Sequence, residues 1–405
     1  MNLFRIAWRN LWRNPRRAVI TCAAVALTTA ILIASYALME GMILHSLQNA
    51  CNLTIGEAEV HDPGYMARRS LYRVIPDPGK ILTRLSKDRI PASARTYGFG
   101  LAAHGVKSAG VQFWGIDPQR EKSAFDLANY LESGTWLPET PNKTLVLGKK
   151  LARSLDVKVG DEIVAVVQAA DGSMGNDLYT VAGILKSAGD AVDRDAAIMN
   201  RKDFGDLFVM PEGAHEIAAN TKGRMPLAQL MATLSRDAPG MEVKSWRAII
   251  PALADMANLF DAMMVIFGLV FFLAGGLGVM NTMLMATFER IREFGIQKAL
   301  GATGWRIVRE VAAEALVLSL TAELAGVLIG VLGAWYLQIY GIDTSAFSQG
   351  YSFSGVAVDT HWRAILSSKS VVMPALIMAV TSVLASLYPA LLAARLTPVK
   401  AITHV

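Results

Sequence analysis

Two glutamates, Glu314 and Glu323, stand in a run (311–340) that carries no other charge. An ionisable group in such a run is costly to bury. Its default reading is functional: it pairs with an opposite charge, moves a proton, or meets a neighbouring subunit. Glu314 lies near Arg306 and Arg309, and pairing with one of them or reaching to the interface is expected of it. Glu323 sits nine residues deeper, where facing a second subunit and carrying a proton both stay open. Proton-coupled carriers are commonly built from inverted repeats, and the four apolar runs of this chain show none.

Other catalytic signatures are missing from the residue pattern. No G-x-x-x-x-G-K-[ST] loop exists to cradle phosphates; Gly148-Lys149-Lys150 lacks both the upstream glycine and the hydroxyl. H-E-x-x-H, C-x-x-C and G-x-S-x-G are absent as well. His45, His61, His104, His215, His361 and His404 have no local metal-ligand spacing, so no metal is expected. No catalytic residue is assigned, and the chain reads as a non-enzyme. Cys22 falls in an apolar run and Cys51 outside it, which argues against a disulfide and for an inert Cys51.

The densest chemical pattern is Phe288-Glu289-Arg290-Ile291-Arg292-Glu293-Phe294-Gly295-Ile296-Gln297-Lys298-Ala299-Leu300-Gly301-Ala302. A long apolar run ends there in charges of both signs. Phe294, Ile296 and Leu300 interleave with Arg292, Glu293 and Lys298, as in a short amphipathic helix closed by a glycine turn. A plain connection between two spans needs no such pattern. The segment is expected to dock a partner outside the membrane.

These residues need a membrane frame to position them. The chain has 405 residues, of which 53% are hydrophobic, and a mean hydropathy of +0.36. Residues 18–40, 259–288, 311–340 and 370–394 read as spans, since ~20 apolar residues cross a bilayer and lipid demands internally paired backbone. The first run is too long, and Tyr36-Ala37-Leu38-Met39-Glu40 too bulky, for a cleavable leader. Residues 1–17 read as an interfacial helix with Phe4, Ala7, Trp8, Leu11 and Trp12 on one face and Arg5, Arg9 and Arg13 on its flank. Pro15 then allows a bend.

Basic residues cluster at 1–17, at 289–309 and in the tail 395–405, whereas the whole chain is only +5. The remainder is therefore net acidic, and both termini and the 289–309 hairpin are placed in the cytoplasm. The pI of about 9.1 reports topology; no basic, aromatic-interleaved patch points to nucleic acid. Residues 41–258 form an extracytoplasmic α/β domain. Strands are expected at 54–61, 110–116, 144–147, 161–168 and 178–185, and helices at 78–85, 148–154 and 202–207. Turns are expected at Asp62-Pro63-Gly64, Asp171-Gly172 and Gly175-Asn176. The stretch 252–262 looks helical and continuous with the second span. Residues 341–369 form an extracytoplasmic loop with Phe347, Tyr351, Phe353 and Trp362. Gly275-Gly276-x-Gly278 and Gly326-x-x-x-Gly330 permit close helix packing, with a dimer seam as one use.

Arg292-Glu293-Phe294-Gly295-Ile296-Gln297-Lys298-Ala299-Leu300-Gly301-Ala302 resembles the R-E-x-G-I-x-K-A-[LI]-G-A signature of the FtsX/MacB/LolCE superfamily of ABC transporter permeases. Ala7-Trp8-Arg9-Asn10-Leu11 with Arg13 and Arg17 is similar to that group's opening. Tyr388-Pro389-Ala390, Ala393-Ala394-Arg395, Pro398 and Ala401-Ile402 resemble its close. Gly115-Ile116-Asp117, Leu147-Gly148-Lys149-Lys150-Leu151-Ala152 and Val159-Gly160-Asp161 are similar to pieces of MacB-type periplasmic domains. The resemblance implies four transmembrane helices with a MacB-type periplasmic domain between helices 1 and 2, in the bacterial inner membrane. It implies a dimer with a second copy or paralogue, and cytoplasmic ATPase subunits that bind ATP and Mg; this chain itself would hold no cofactor. Arg292, Glu293, Phe294, Gly295, Ile296, Lys298, Ala299, Leu300 and Gly301 would form the helix that couples to the ATPase.

Domain order and Gly56-x-x-x-Val60-His61-x-Pro63-Gly64-Tyr65 look most like the lipoprotein-releasing branch, although the N-terminus departs from its usual opening. The expectation is a mechanotransmitting permease that acts on a lipoprotein or other lipid-anchored cargo, with a periplasmic lipoprotein or adaptor as partner. The alternatives are an FtsX-like regulator of an extracytoplasmic enzyme and a MacB-type efflux permease.

Overall fold

The computed structural model describes residues 7–9, 13–210, 212–344, 352–353, 356–357 and 361–395. Phe4, Arg5, Leu11, Trp12, Phe347, Tyr351, Pro398, Lys400, Ala401 and Ile402 lie outside them, so most of the expected interfacial helix does too. The chain divides into two compact units. One holds Met1–Ile43, Ala257–Ala346 and His361–Val405, the other Leu44–Met256 and Phe347–Thr360.

Among the described residues four helices, most of whose length lies in the first unit, are long and apolar enough to cross a membrane. They are α1 (Pro15–Ala50), α2 (Pro251–Glu289), α4 (Gly304–Tyr340) and α5 (Ser368–Arg395); the short α3 (Ile291–Ala299) follows α2. Pro15 opens α1, where its missing N–H costs nothing, so residues 15–17 belong to the first long helix and not to a separate interfacial one. α1 runs past residue 40 to Ala50, and α2 begins at Pro251, ahead of residue 259. α2 is continuous through 252–262, as its uninterrupted helical pattern anticipates. α4 starts at Gly304, before the apolar stretch expected from 311, because the charged residues of the hairpin continue its first turns.

These helices share one core. Leu32 and Tyr36 of α1, Val279 and Met283 of α2, Phe294 of α3, Ile307 and Ala322 of α4, and Met378 and Ala390 of α5 meet in it. Leu269, Leu273, Leu277, Leu324 and Leu328 face outward, as lipid-facing side chains do. The glycines of α4 pack within the chain. A Cβ on Gly326 would lie 2.8 Å from the Ala26 carbonyl oxygen, and one on Gly330 would lie 3.0 Å from the Ala30 Cα. Both glycines therefore seat α4 on α1 of the same chain, a use of small residues that the dimer reading did not include.

The second unit is built on a ten-stranded sheet. Its strands are β1 (Ala58–His61), β2 (Ala92–His104), β3 (Lys107–Ile116), β4 (Leu131–Gly134), β5 (Thr144–Leu147), β6 (Glu162–Gln168), β7 (Met174–Leu185), β8 (Ala196–Asn200), β9 (Glu216–Ala219) and β10 (Glu242–Ser245). The order is β10-β1-β9-β2-β3-β8-β5-β7-β4, with β6 against β2 and β7. β3 with β8 and β5 with β7 are parallel; the other pairs are antiparallel. Helices Lys149–Leu155 and Arg201–Phe208 cover one part of the sheet around Phe113, Leu147 and Phe204. Helices Pro78–Lys87 and Leu227–Asp237 cover another around Val60, Leu85 and Ile217.

Two local expectations change. The strand expected from residue 54 starts at Ala58, because Cys51–Ile55 forms a π-helical turn that ends at Gly56, whose φ of 69° is open to glycine. Gly175-Asn176 lies inside β7 instead of forming a turn. A side chain on Gly175 would collide with the Leu207 carbonyl, so the glycine serves a close backbone approach. In the loop after α4, the described residues form two short antiparallel ladders, Ile342–Asp343 with His361–Trp362 and Ser352–Phe353 with Val356–Ala357.

Candidate functional site

The turn from α2 into α3 is organised by Arg290. Its Nε donates to Glu293 Oε2 at 2.9 Å, its Nη1 to Glu314 Oε2 at 2.7 Å and its Nη2 to Glu310 Oε1 at 3.3 Å. The guanidinium also lies 5.2 Å from the centre of the Phe294 ring. One side chain thus ties the end of α2, the first turn of α3 and the first turns of α4. Glu314 therefore pairs with Arg290 and not with Arg306 or Arg309, because those two arginines precede it on its own helix while Arg290 crosses to it from the turn.

The start of α1 joins the same network. Arg13 Nη1 donates to Glu293 Oε1 at 2.7 Å, Asn14 Nδ2 to Glu289 Oε2 at 3.1 Å, and Arg17 pairs with Glu289. A cavity of about 280 Å³ opens among Arg13, Arg17, Glu289, Arg290 and Glu314. Partial burial pushes the Glu293 carboxyl up, but the hydrogen bonds from Arg13 and Arg290 outweigh it and hold the group below its ordinary range.

α3 has two faces. Phe294 is 1% exposed, and Ile291 and Gly295 are buried with it. Lys298 Nζ donates to the Ala394 carbonyl near the end of α5. On the other face Arg292, Ile296, Ala299 and Leu300 are exposed, Leu300 at 83%. Gly301 (φ 91°) turns the chain away toward α4. Of the nine residues expected to couple, Phe294 and Gly295 are thus internal, and Glu293 and Lys298 are engaged within the chain. Arg292, Ile296, Ala299, Leu300 and Gly301 form the free surface. Arg290 was not among the nine. Its signal was available, for it is the first base after an uncharged run and sits three residues before Glu293.

Glu323 is buried, and neither carboxylate oxygen has a hydrogen-bond partner among the described residues. It lies nine residues beyond Glu314 on α4 and does not join the Arg290 network.

Sequence spacing also missed a buried polar cluster in the second unit. Glu59 and His61 alternate on β1, and His61 pairs in register with Glu216 of β9, which pairs in turn with Arg95 of β2. The period-two rule places all four on one sheet face. Arg95 donates to Glu121 Oε1 at 2.6 Å, to Glu121 Oε2 at 3.2 Å and to Glu216 Oε1 at 3.1 Å; it also bonds the Thr54 carbonyl. Tyr97 donates to Glu216 Oε1 at 3.1 Å. Burial, reinforced by the charge of Glu216, pushes the Glu59 carboxyl up to about 7 against the bond from His61. Arg95 and Glu216 come from two other strands, so local spacing shows only the Glu59-x-His61 pair of the cluster.

Four helices of crossing length, a charged amphipathic element between the second and third, and a large mixed α/β insert after the first define a polytopic membrane protein with a soluble domain. The chain belongs to the ABC transporter permeases of the MacB/FtsX/LolC type: residues 18–237 match the MacB-like periplasmic core domain and residues 265–398 the FtsX-like permease C-terminal domain. It is 27% identical, over 100% of its length and 59% of the relative, to the pyoverdine export ATP-binding/permease protein PvdT of Pseudomonas fluorescens Pf-5. It is 22% identical to the lipoprotein-releasing system transmembrane protein LolC of Xylella fastidiosa, over 97% of this chain and 95% of LolC. It is 25% identical to an uncharacterized ABC transporter permease, YknZ, of Bacillus subtilis, over 65% of this chain and 62% of YknZ. The crystal structure of the periplasmic region of MacB from Actinobacillus actinomycetemcomitans covers 49% of this chain, and the match covers 91% of that structure, with a TM-score of 0.37 at 15% identity. The chain spans 58–59% of the length of the first PvdT relatives.

Proposed function

We propose that this chain is the permease subunit of a mechanotransmitting ABC transporter that releases lipoproteins or other lipid-anchored cargo. A separate cytoplasmic ATPase binds ATP and Mg and docks on the exposed face of α3. The chain sits in the bacterial inner membrane with both termini and α3 in the cytoplasm and the MacB-like domain in the periplasm. It works as a dimer with a second copy or a paralogue, and hands cargo to a periplasmic lipoprotein or adaptor.

The observation that carries this reading is the division of α3. One face is locked into the helix bundle through Phe294, Glu293 and Lys298, while Ile296 and Leu300 are exposed apolar side chains beside Arg292. Exposed apolar side chains with a flanking base are what a protein partner covers. A push there would pass through Arg290 into α2 and α4 and through Arg13 into α1. The near end-to-end match to LolC supports the lipid-anchored cargo.

A second reading is export of a small molecule, favoured by the full-length similarity of this chain to pyoverdine exporters. Purification from native membranes followed by mass spectrometry separates the two. An ATPase with an acylated protein supports lipoprotein release; an ATPase with a soluble small molecule supports export. An ATPase with only an extracytoplasmic hydrolase points to a regulator. Ile296→Glu and Leu300→Glu should each lose the ATPase while the chain still inserts. Undiminished ATPase recovery in both would sink the docking assignment.

A further inference from the structure

We propose that Glu59, His61 and Glu216 form a site for one divalent transition-metal ion, Zn²⁺ foremost, in the soluble domain. One ligand atom from each lies within 4.8 Å of the others, and all three residues are buried. Small side-chain adjustments close such a triangle to the separations a Zn²⁺ ion needs, since Zn–N and Zn–O bonds are about 2.0–2.2 Å.

Three features support a cation. The first is the setting of the imidazole. His61 Nδ1 lies 3.1 Å from the His215 carbonyl, a group that only accepts, so Nδ1 carries the hydrogen. In the neutral ring Nε2 is then a bare lone pair, and it faces Glu59 Oε2 at 2.8 Å. At this separation the two atoms share a proton; a metal ion takes the proton's place only when they move apart to the spacing of two ligand atoms. A ring nitrogen on a backbone carbonyl with its other nitrogen on the metal is the usual outer-shell arrangement of a ligating histidine.

The second is charge. Glu59, Glu121 and Glu216 are buried with Arg95, whose guanidinium bonds Glu121 and Glu216 and leaves Glu59 to His61. Buried charge is tolerated when it is neutralised, and a divalent ion balances this set. The third is space. A cavity of about 180 Å³ adjoins Glu59 and Glu216 and is also lined by Tyr65, Tyr97 and Arg69. Three protein ligands with an open side leave room for water or an incoming donor. The ligand orientation is fixed from behind: Arg95 and Tyr97 hold one oxygen of Glu216, and the Tyr65 ring stacks on His61 at 5.4 Å. The imidazole selects against Mg²⁺ and Ca²⁺, which take oxygen ligands.

The full chain, purified in detergent and stripped with a chelator, should be titrated with Zn²⁺ against a chromophoric competitor. The expected result is one tight Zn²⁺ per chain, with Mg²⁺ unable to displace it. His61→Gln and Glu216→Gln should weaken binding by ~10-fold or more, while His104→Gln on a different part of the sheet leaves it unchanged. Should the variants fail to fold, X-ray absorption of the Zn²⁺-loaded wild type still decides: a shell of nitrogen and oxygen with imidazole scattering supports the site. No stoichiometric Zn²⁺ on the wild type, or a sulfur shell, or equal affinity in folded His61→Gln, overturns it; the Glu59–His61 contact is then bridged by a proton.

Discussion

Arg290 and Glu314 are joined at 2.7 Å between the α2–α3 turn and the third turn of α4, with 14% and 11% of their side chains exposed. The pair is enclosed, and Arg290 is also bonded to Glu293 and Glu310. Removing one partner of such a pair strands the other charge, at about 3–5 kcal/mol. Arg290→Met should therefore lower the melting temperature in detergent sharply. Adding Glu314→Gln to it should restore part of the loss, since no buried carboxylate then remains at that position. Equal melting of the single and double variants would show that Arg290 acts through its other contacts.

α3 separates stability from docking residue by residue. Phe294 is enclosed, so Phe294→Ala should cost about 3–5 kcal/mol, the range for an aromatic removed from a core. Leu300→Ala strips an exposed side chain and should stay within about 0.5 kcal/mol, yet reduce ATPase recovery in a pull-down. A Leu300→Ala protein that melts early would place this side chain against something within the chain.

Much of this architecture was legible because apolar runs and their charged ends are local signals. The four long helices, the short helix between the second and third, and β5, β6 and the helix at Lys149–Leu155 follow from periodicity and turn residues within a few positions. What escaped was long-range. Arg290 looked like one charge among several in 289–293 until α4 placed Glu310 and Glu314 against it. Gly175 carried a turn signature, but its missing side chain answers to Leu207, which is thirty-two residues away in sequence. The Glu59, His61, Arg95 and Glu216 cluster is assembled by strand register.

Arg95 is the largest fully buried side chain among the described residues and is 1% exposed. Its guanidinium neutralises Glu121 and Glu216 across separate elements and stacks 4.1 Å from the centre of the Phe125 ring. Arg95→Met leaves two buried carboxylates without their counter-charge, and the expected loss is about 3–5 kcal/mol. Arg95→Lys should recover little, because an ammonium cannot reproduce the fork that meets both oxygens of Glu121. Chemical denaturation followed by tryptophan fluorescence checks both; a lysine variant as stable as wild type would show that charge alone suffices.

Gly326 and Gly330 set the spacing between α1 and α4. Gly326→Leu must displace the Ala26 backbone and the Thr29 side chain, both 2.8 Å from the new Cβ. Overpacking of this kind costs about 1–3 kcal/mol. Gly333 has nothing within 4 Å of its would-be Cβ, so Gly333→Ala should be neutral or gain up to about 1 kcal/mol from helix propensity. Melting in detergent distinguishes them, and equal effects would remove the α1 contact as the reason for these glycines.

Glu323 shares a helix face with Gly326 and Gly330 by its spacing, and so belongs to the side of α4 that meets α1. Thr29 Oγ1 on α1 is likewise buried without a hydrogen-bond partner among the described residues. A carboxyl with both oxygens unpaired in this setting costs the chain at least about 1–3 kcal/mol. Glu323→Met keeps the length and removes the polar atoms, so the isolated chain should melt higher than wild type. In the complete transporter the sign decides what the glutamate is for. If Glu323→Met also melts higher there and transport is unchanged, the carboxyl has no partner in the assembly. If it melts lower only in the assembly, a group from a second subunit or a bound ligand meets Glu323, and the residue is retained for that contact.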